Sequence, residues 1–216
     1  GVQTCALPIY DLDETTGKFM LDAPHIAADL KSENPRSTWG VIVSALTARR
    51  KAGIDPFTIV SCDNLRSNGD TAKRATVGYA EGVSADLASW ISGNVSFPNS
   101  MVDRIAPVID EAFKNRMNEH SGVADAIPVA GESFKQWVIE DKFPTGRPAW
   151  EEVGVQLRPD VAEFESIKGR MLNASHVMMS YPALIIGLKL VYEAARDELI
   201  NKFILTFMNS EDRKST

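Results

Sequence analysis

Cysteine is nearly absent. The chain holds two, Cys5 and Cys62, in no paired spacing, so a disulfide framework is not expected and a cytoplasmic setting is the default. Histidine is almost as scarce: His25, His120 and His176 stand in unrelated contexts, with no clustered Cys, His and carboxylate set for a catalytic zinc, so no metal is expected. Basic charge is in deficit, 23 Lys and Arg against 29 Asp and Glu, and apart from "TARRK" at 47–51 it is scattered. The resulting net charge of -6 argues against a nucleic-acid partner. No apolar run approaches the ~18 residues of a membrane span. The most apolar stretch, "ALIIGLKLVY" from Ala183, is short and carries Lys189, so no membrane partner is expected. Neither a G-x-S-x-G nucleophile elbow nor a G-x-G-x-x-G phosphate loop occurs.

What remains is a 216-residue chain, 44% apolar, with core enough for one large domain or two small ones. The ends stand apart: "GVQTCALPI" and "DRKST" read like translated adapter sequence. Residues 1–9, Cys5 included, and 212–216 are therefore expected to be non-native, and the chain an internal piece of a longer one.

The organisation reads as α/β followed by α. "STWGVIVSALTARRKAG" (37–53) predicts a helix, capped by Ser37 or Thr38 and ended by Gly53. "DPFTIVSCDN" follows, and Phe57–Val60 reads as a short strand buried on both faces, as in a parallel sheet. Asn68-Gly69 reads as a turn with Asp70 as helix cap, and a helix then runs to about Ser92 with an interruption near Gly82. "NVSFPNSMVDRI" holds strand-like pieces, and "APVIDEAFKNRMNEH" reads as helical. "AIPVAG", "FKQWVIED" and "GVQLRPD" are three further strands by pattern. From Val161 helical periodicity continues almost to the end, with Pro182 marking a break or kink.

Two stretches carry chemistry-bearing side chains. In "KGRMLNASH" (168–176), read as an α-helix, Lys168, Asn173 and His176 project at about 0°, 140° and 80°, and Glu165 at about 60°. A carboxylate, an amine, an amide and an imidazole thus share one broad face; solvated Lys-Glu pairing at i, i+3 would produce the same pattern. The second stretch, "SCDN" (61–64), follows the expected strand directly and places Asp63 and Asn64 where open α/β sheets bind ligands, although Asp and Asn are also ordinary turn formers.

Four blocks taken in order, "TIVSCDNLRSNGDTAKR", "NVSFPNSMVDRIAP", "FKQWVIEDKFPTGRPAWEEVGVQL" and "IKGRMLNASHVMMSYPALIIG", resemble the mannitol dehydrogenase family of polyol-specific long-chain dehydrogenases. The resemblance runs from Tyr10 to about Asp197 and is nearest the mannitol 2-dehydrogenase branch. It implies the C-terminal part of a Rossmann-like NAD-binding domain over 10–158 and the beginning of a helical substrate domain over 159–211. It further implies metal-free oxidation of a secondary alcohol of mannitol or a similar polyol to the ketose, with NAD as cofactor. In that reading Lys168 is the general base, and Asn64 and Asn173 hold the reacting oxygen. His176 orients a neighbouring hydroxyl, Glu165 relays the proton, and Val102 and Asp103 lie near the nicotinamide.

Two alternatives stay open: a fructuronate or tagaturonate reductase of the same family, and a non-catalytic binding or scaffold domain that kept the fold. Retention of Lys168, Asn173, His176 and Asn64 together argues against the scaffold. Two positions depart from the family pattern. Gly169 stands where Ile, Leu or Met is usual, and Arg66 where Pro, His or Gln is usual. The choice between NAD and NADP and the oligomeric state, monomer included, are left open by the sequence.

Overall fold

The computed structural model describes residues 10–215, with side chains as far as Ser210; the expected non-native segment 1–9, with Cys5, lies outside the described residues. The chain forms two compact units, one running to Val161 and one beginning at Ala162. The first is mixed α/β and the second helical, as the pattern implied.

In the first unit, α1 (Pro24–Asp29) opens on a proline, whose missing N–H costs nothing at a helix start. Helix α2 (Thr38–Lys51) is capped by the Ser37 hydroxyl, which accepts from the Gly40 N–H at 3.0 Å. Its last turn carries Arg49, Arg50 and Lys51 against the negative end of the helix dipole, and Gly53 ends it in the left-handed region. Helices α3 (Asn68–Val83) and α4 (Ala85–Asn94) follow, divided at Ser84 rather than at Gly82. Ser84 is extended, and its hydroxyl starts α4 by accepting from the Leu87 N–H at 3.1 Å. The three long helices bury Trp39, Val43, Leu46, Ala75, Tyr79 and Ile91 in one core. Each fully buried Leu or Ile there is worth roughly 1.5–3 kcal/mol of transfer free energy.

Three expectations fail here, each for a local reason. Asn68-Gly69 is not a turn but the first turn of α3, preceded by Ser67 in the left-handed region, and Asp70 is inside the helix rather than its cap. The helix can begin so close to its neighbour because Gly69 lacks a Cβ, which would sit 2.5 Å from the Pro98 carbonyl oxygen. Phe57–Val60 is extended but belongs to no strand: the Ile59 N–H donates to the Ser96 carbonyl at 3.0 Å, and no regular ladder continues from it among the described residues. "AIPVAG" is likewise irregular; Pro128 has no N–H to give a ladder, and Ile127 and Val129 are exposed rather than packed.

The sheet has three strands in the order β1 (Ser100–Asp103), β2 (Gln136–Glu140), β3 (Gln156–Arg158). β1 and β2 are antiparallel, with Val102 opposite Trp137 and Asp103 opposite Gln136; β2 and β3 are parallel. Helix α5 (Glu111–Ser121) stands between β1 and β2 in sequence, capped by Asp110, and starts five residues later than Ala106. In the loop after β2, Arg147 pairs with both Asp141 and Glu151, and Trp137 packs on Trp150 at 5.6 Å between ring centres.

The second unit contains α6 (Ala162–Ile167), a π-helical turn over Lys168–Asn173, α7 (Ala174–Ile185), α8 (Val191–Arg196) and α9 (Glu198–Ser215). Helix α7 passes through Pro182 and ends three residues later at Ile185, so the chain is not broken at the proline itself. The irregularity lies earlier, in the π turn. Ala183, Ala194, Ile200 and Ile204 form this unit's small core. Among the described residues no helix is long and apolar enough to cross a membrane.

Candidate active site

In the first unit, the loop Ser61–Asn64 carries the candidate residue Asn64. Its backbone is fixed by side chains from elsewhere. The Asn68 amide donates to the carbonyls of Ser61 (3.1 Å) and Asp63 (2.9 Å), and the Ser100 hydroxyl donates to the Ser61 carbonyl at 2.5 Å. The Ser61 hydroxyl in turn bonds the Tyr10 hydroxyl at 2.7 Å. The loop is thereby held against the first residue of β1, two positions before Val102. Asn64 and Cys62 are exposed on it, and Val102 and Asp103 are half-buried. The structure thus brings Asn64, Val102 and Asp103 onto neighbouring segments of one unit.

In the second unit, taken by itself, Glu165, Lys168, Asn173 and His176 lie on one continuous helical stretch. The α-helical projection does not hold for it. The Ala174 N–H bonds the Gly169 carbonyl, an i→i+5 closure, across Lys168–Asn173. Each step through such a turn advances roughly 85° instead of ~100°. The ideal α-helical angles therefore do not describe the stretch from Lys168 to Asn173. Gly169 has open space around it, so a backbone without a side chain takes up the wider turn at no packing cost. Lys168, Glu165 and His176 are half-buried and Asn173 is exposed. His176 also borders a pocket of about 140 Å³ with Ser180, Leu184, Lys189 and Leu190. Beside it, the Ser175 hydroxyl is buried without a hydrogen-bond partner.

A dinucleotide needs bare amides for its pyrophosphate, normally at a helix N-terminus. At the described helix starts of the first unit, part of that capacity is already taken. α1 begins with proline; the Ser37, Ser84 and Asp110 side chains already cap α2, α4 and α5; and in α3 the Asp70 N–H is taken by the Asn99 side chain at 3.1 Å. Val102 and Asp103, the positions expected near a nicotinamide, lie half-buried at the end of β1. Among the described residues no group of three or more His, Cys, Asp or Glu could hold a metal ion. A groove of about 1000 Å³ on the first unit, bordered by Lys18, Asp70, Lys73, Arg74 and Glu81, mixes both charge signs and contains none of the expected site residues.

Comparison with known proteins settles the family. Residues 11–152 match the mannitol dehydrogenase Rossmann domain and residues 160–215 the mannitol dehydrogenase C-terminal domain. The chain belongs to the mannitol dehydrogenase family. It is similar to the polyol:NADP oxidoreductase of Gluconobacter oxydans (strain 621H), 42% identical over 203 residues, which are 94% of this chain and 42% of that protein. It is also similar to the mannitol 2-dehydrogenase of Cereibacter sphaeroides, 43% identical over 205 residues, 91% of this chain and 43% of that one. Among solved structures, substrate-free D-sorbitol dehydrogenase superimposes with a TM-score of 0.88 at 43% identity, covering 94% of this chain and 42% of the other. The Pseudomonas fluorescens mannitol 2-dehydrogenase ternary complex with NAD and D-mannitol gives 0.80 at 43% identity, covering 92% and 41%. The chain thus spans about two-fifths of the length of these family members.

Two features of the site had no separate signal in the sequence pattern. The polar anchors Asn68 and Ser100 read as turn residues. The π turn leaves no periodicity of its own; the glycine at 169 was its one visible trace.

Proposed function

We propose that this chain carries the catalytic centre of a polyol dehydrogenase, which oxidises a secondary alcohol of mannitol or a similar sugar alcohol to the ketose, mannitol to fructose, with NAD as oxidant. The observation that supports the reading is the π turn, which begins on Lys168, ends on Asn173 and stands between Glu165 and His176 in the chain. Structural helices seldom need such a turn, and functional ones often keep it.

Oxidation of the alcohol requires its hydroxyl proton to leave as the hydride departs, so a base must stand within hydrogen-bond reach of that hydroxyl. Lys168 is that base, acting in its neutral form. Asn173, and Asn64 from the first unit, donate their amide N–H groups to the oxygen while it carries negative charge. His176 orients an adjoining hydroxyl of the polyol, and Glu165 passes the proton on from Lys168. Val102 and Asp103 border the place where the nicotinamide stands. A bound nicotinamide supplies the hydride acceptor.

The test is a double-mutant cycle in a chain completed to the length of its relatives. Asn64→Ala and Lys168→Ala should each lower kcat for mannitol oxidation, and the double variant should be much less impaired than the product of the two, because groups acting at one oxygen are not additive. Full additivity would show that Asn64 and Lys168 do not serve one site. Assays with NADP and with fructuronate run in parallel. Preferential turnover of the uronate would replace the polyol assignment.

A further inference from the structure

We propose that Asn68 is a positioning residue of this site, which sets Asn64 by clamping its loop to β1; the inference rests on the proposed role of Asn64. Asn68 is completely buried, in the first turn of α3, yet its side chain serves nothing in its own helix. Its Nδ2 lies within hydrogen-bond distance of three carbonyls, those of Ser61 (3.1 Å), Asp63 (2.9 Å) and Ser100 (2.9 Å). It also lies 3.2 Å from the Ser100 hydroxyl. Its Oδ1 accepts from the Ser100 N–H at 2.9 Å. One amide therefore satisfies donor and acceptor positions on two segments that lie 32 residues apart from it or just before it in sequence.

The chemistry of the side chain fits this task and no other in the series. Serine is too short to span loop and strand. Aspartate has the shape but would set a carboxylate against three carbonyl oxygens. The bonds of the Asn68 amide go to backbone and to Ser100, and the side chain is completely buried, so it does not reach a substrate. The residue whose carbonyl it holds, Asp63, is bonded directly to Asn64. The clamp therefore fixes the backbone from which Asn64 projects. Ser67 just before it is in the left-handed region, φ 51°, a conformation that a serine rarely takes and that launches Asn68 inward.

The experiment is kinetic, in a chain completed to the length of its relatives. Asn68→Asp should lower kcat about 100-fold, the scale on which an ångström of misplacement acts, with the KM for mannitol changed far less. In the Asn64→Ala background the same substitution should cost nothing further, because there is no amide left to misplace. A purely structural role for Asn68 predicts the same added loss in both backgrounds, and that result, or an unchanged kcat in Asn68→Asp, overturns the proposal. If Asn64→Ala itself leaves kcat unchanged, the reading of Asn64 fails and this inference with it. Ser100→Ala, which removes the hydroxyl bridging to the Ser61 carbonyl with little change in volume, runs through the same cycle. If Asn68→Asp does not fold, the Ser100→Ala cycle decides by the same two outcomes.

Discussion

The Tyr79 hydroxyl donates to Asp29 Oδ2 at 3.1 Å, joining α3 to the end of α1 across fifty positions of sequence. Asp29 also accepts from the Ser37 hydroxyl at 2.6 Å and from the Arg36 N–H at 2.5 Å, so one buried carboxylate ties α1, the cap of α2 and α3 together. Burial pushes the Asp29 carboxyl up. The bonds from Ser37, Arg36 and Tyr79 outweigh it, and the net position is below the usual carboxylate range. Burial, and then the same carboxylate, push Tyr79 up to about 12.

The pH dependence follows from those directions. A lowered Asp29 contributes stability that is present above its unfolded value of ~3.9 and is lost as pH falls through the folded one. A raised Tyr79 contributes stability that is present below ~10 and is lost as pH rises towards 12. Tyr79→Phe should cost about 1.5–3 kcal/mol at neutral pH, the range for a hydrogen bond to a charged group. It should raise the pH of acid unfolding and remove the alkaline loss due to Tyr79. Urea midpoints across pH measure all three effects. An acid midpoint unchanged by Tyr79→Phe would show that Tyr79 does not hold Asp29 down.

Two glycines should respond in opposite directions to the same substitution. A Cβ on Gly69 would meet the Pro98 carbonyl oxygen at 2.5 Å, and backbone on both sides leaves little to yield. Gly69→Ala should destabilise by about 1–3 kcal/mol, as overpacking does. Gly169 faces open space, and Gly169→Ala should stabilise by about 0.5–1 kcal/mol through the unfolded chain. Thermal or denaturant midpoints of the two variants check this. A loss at Gly169 would mean that the π turn itself demands glycine.

Much of this fold was legible because local rules and tertiary demands agree. Ser37 caps α2 and Gly53 ends it, as their residue types suggest, and "QWVIE" and "QLR" are strands. The misses fall where long-range contacts decide. Phe57–Val60 has the composition of a strand, but a strand needs a partner, and among the described residues Ser96 supplies a single bond to Ile59 and no ladder follows. Asn68-Gly69 has the composition of a turn, but Ser61, Asp63 and Ser100 recruit the Asn68 amide and fold the pair into a helix start. The site residues on 165–176 were legible as types. The π turn was not, since the i→i+5 closure at Ala174 changes the angular step without changing the spacing.

Lys168→Ala tests the base directly. In a chain completed to the length of its relatives it should lower kcat for polyol oxidation by about 10²–10⁴, the usual share of a general base, while the Kd for NAD stays within a few-fold. Steady-state kinetics and cofactor titration separate the two effects. A variant with near-normal turnover would remove Lys168 from the mechanism, and a variant that loses NAD binding in proportion would make it a cofactor contact.

The 216-residue chain on its own should bind NAD weakly and oxidise no polyol at a measurable rate. The reason lies in the helix starts of the first unit. At the described helix starts, proline opens α1, Ser37, Ser84 and Asp110 each take one N–H of their own helix, and Asn99 takes the Asp70 amide, so fewer N–H groups are left for a pyrophosphate, and at α5 it would meet the Asp110 carboxylate. The second unit should make the isolated chain prone to self-association, because Tyr181, Leu184, Ile185 and Leu199 are all at least two-thirds exposed on its helices. Calorimetry with NAD at increasing protein concentration, alongside light scattering, measures both. Completion to the length of the relatives should restore NAD binding and mannitol oxidation together. Tight binding of NAD to the 216-residue chain would show that the described helix starts, or the edge at Val102 and Asp103, hold the cofactor without a glycine-rich loop.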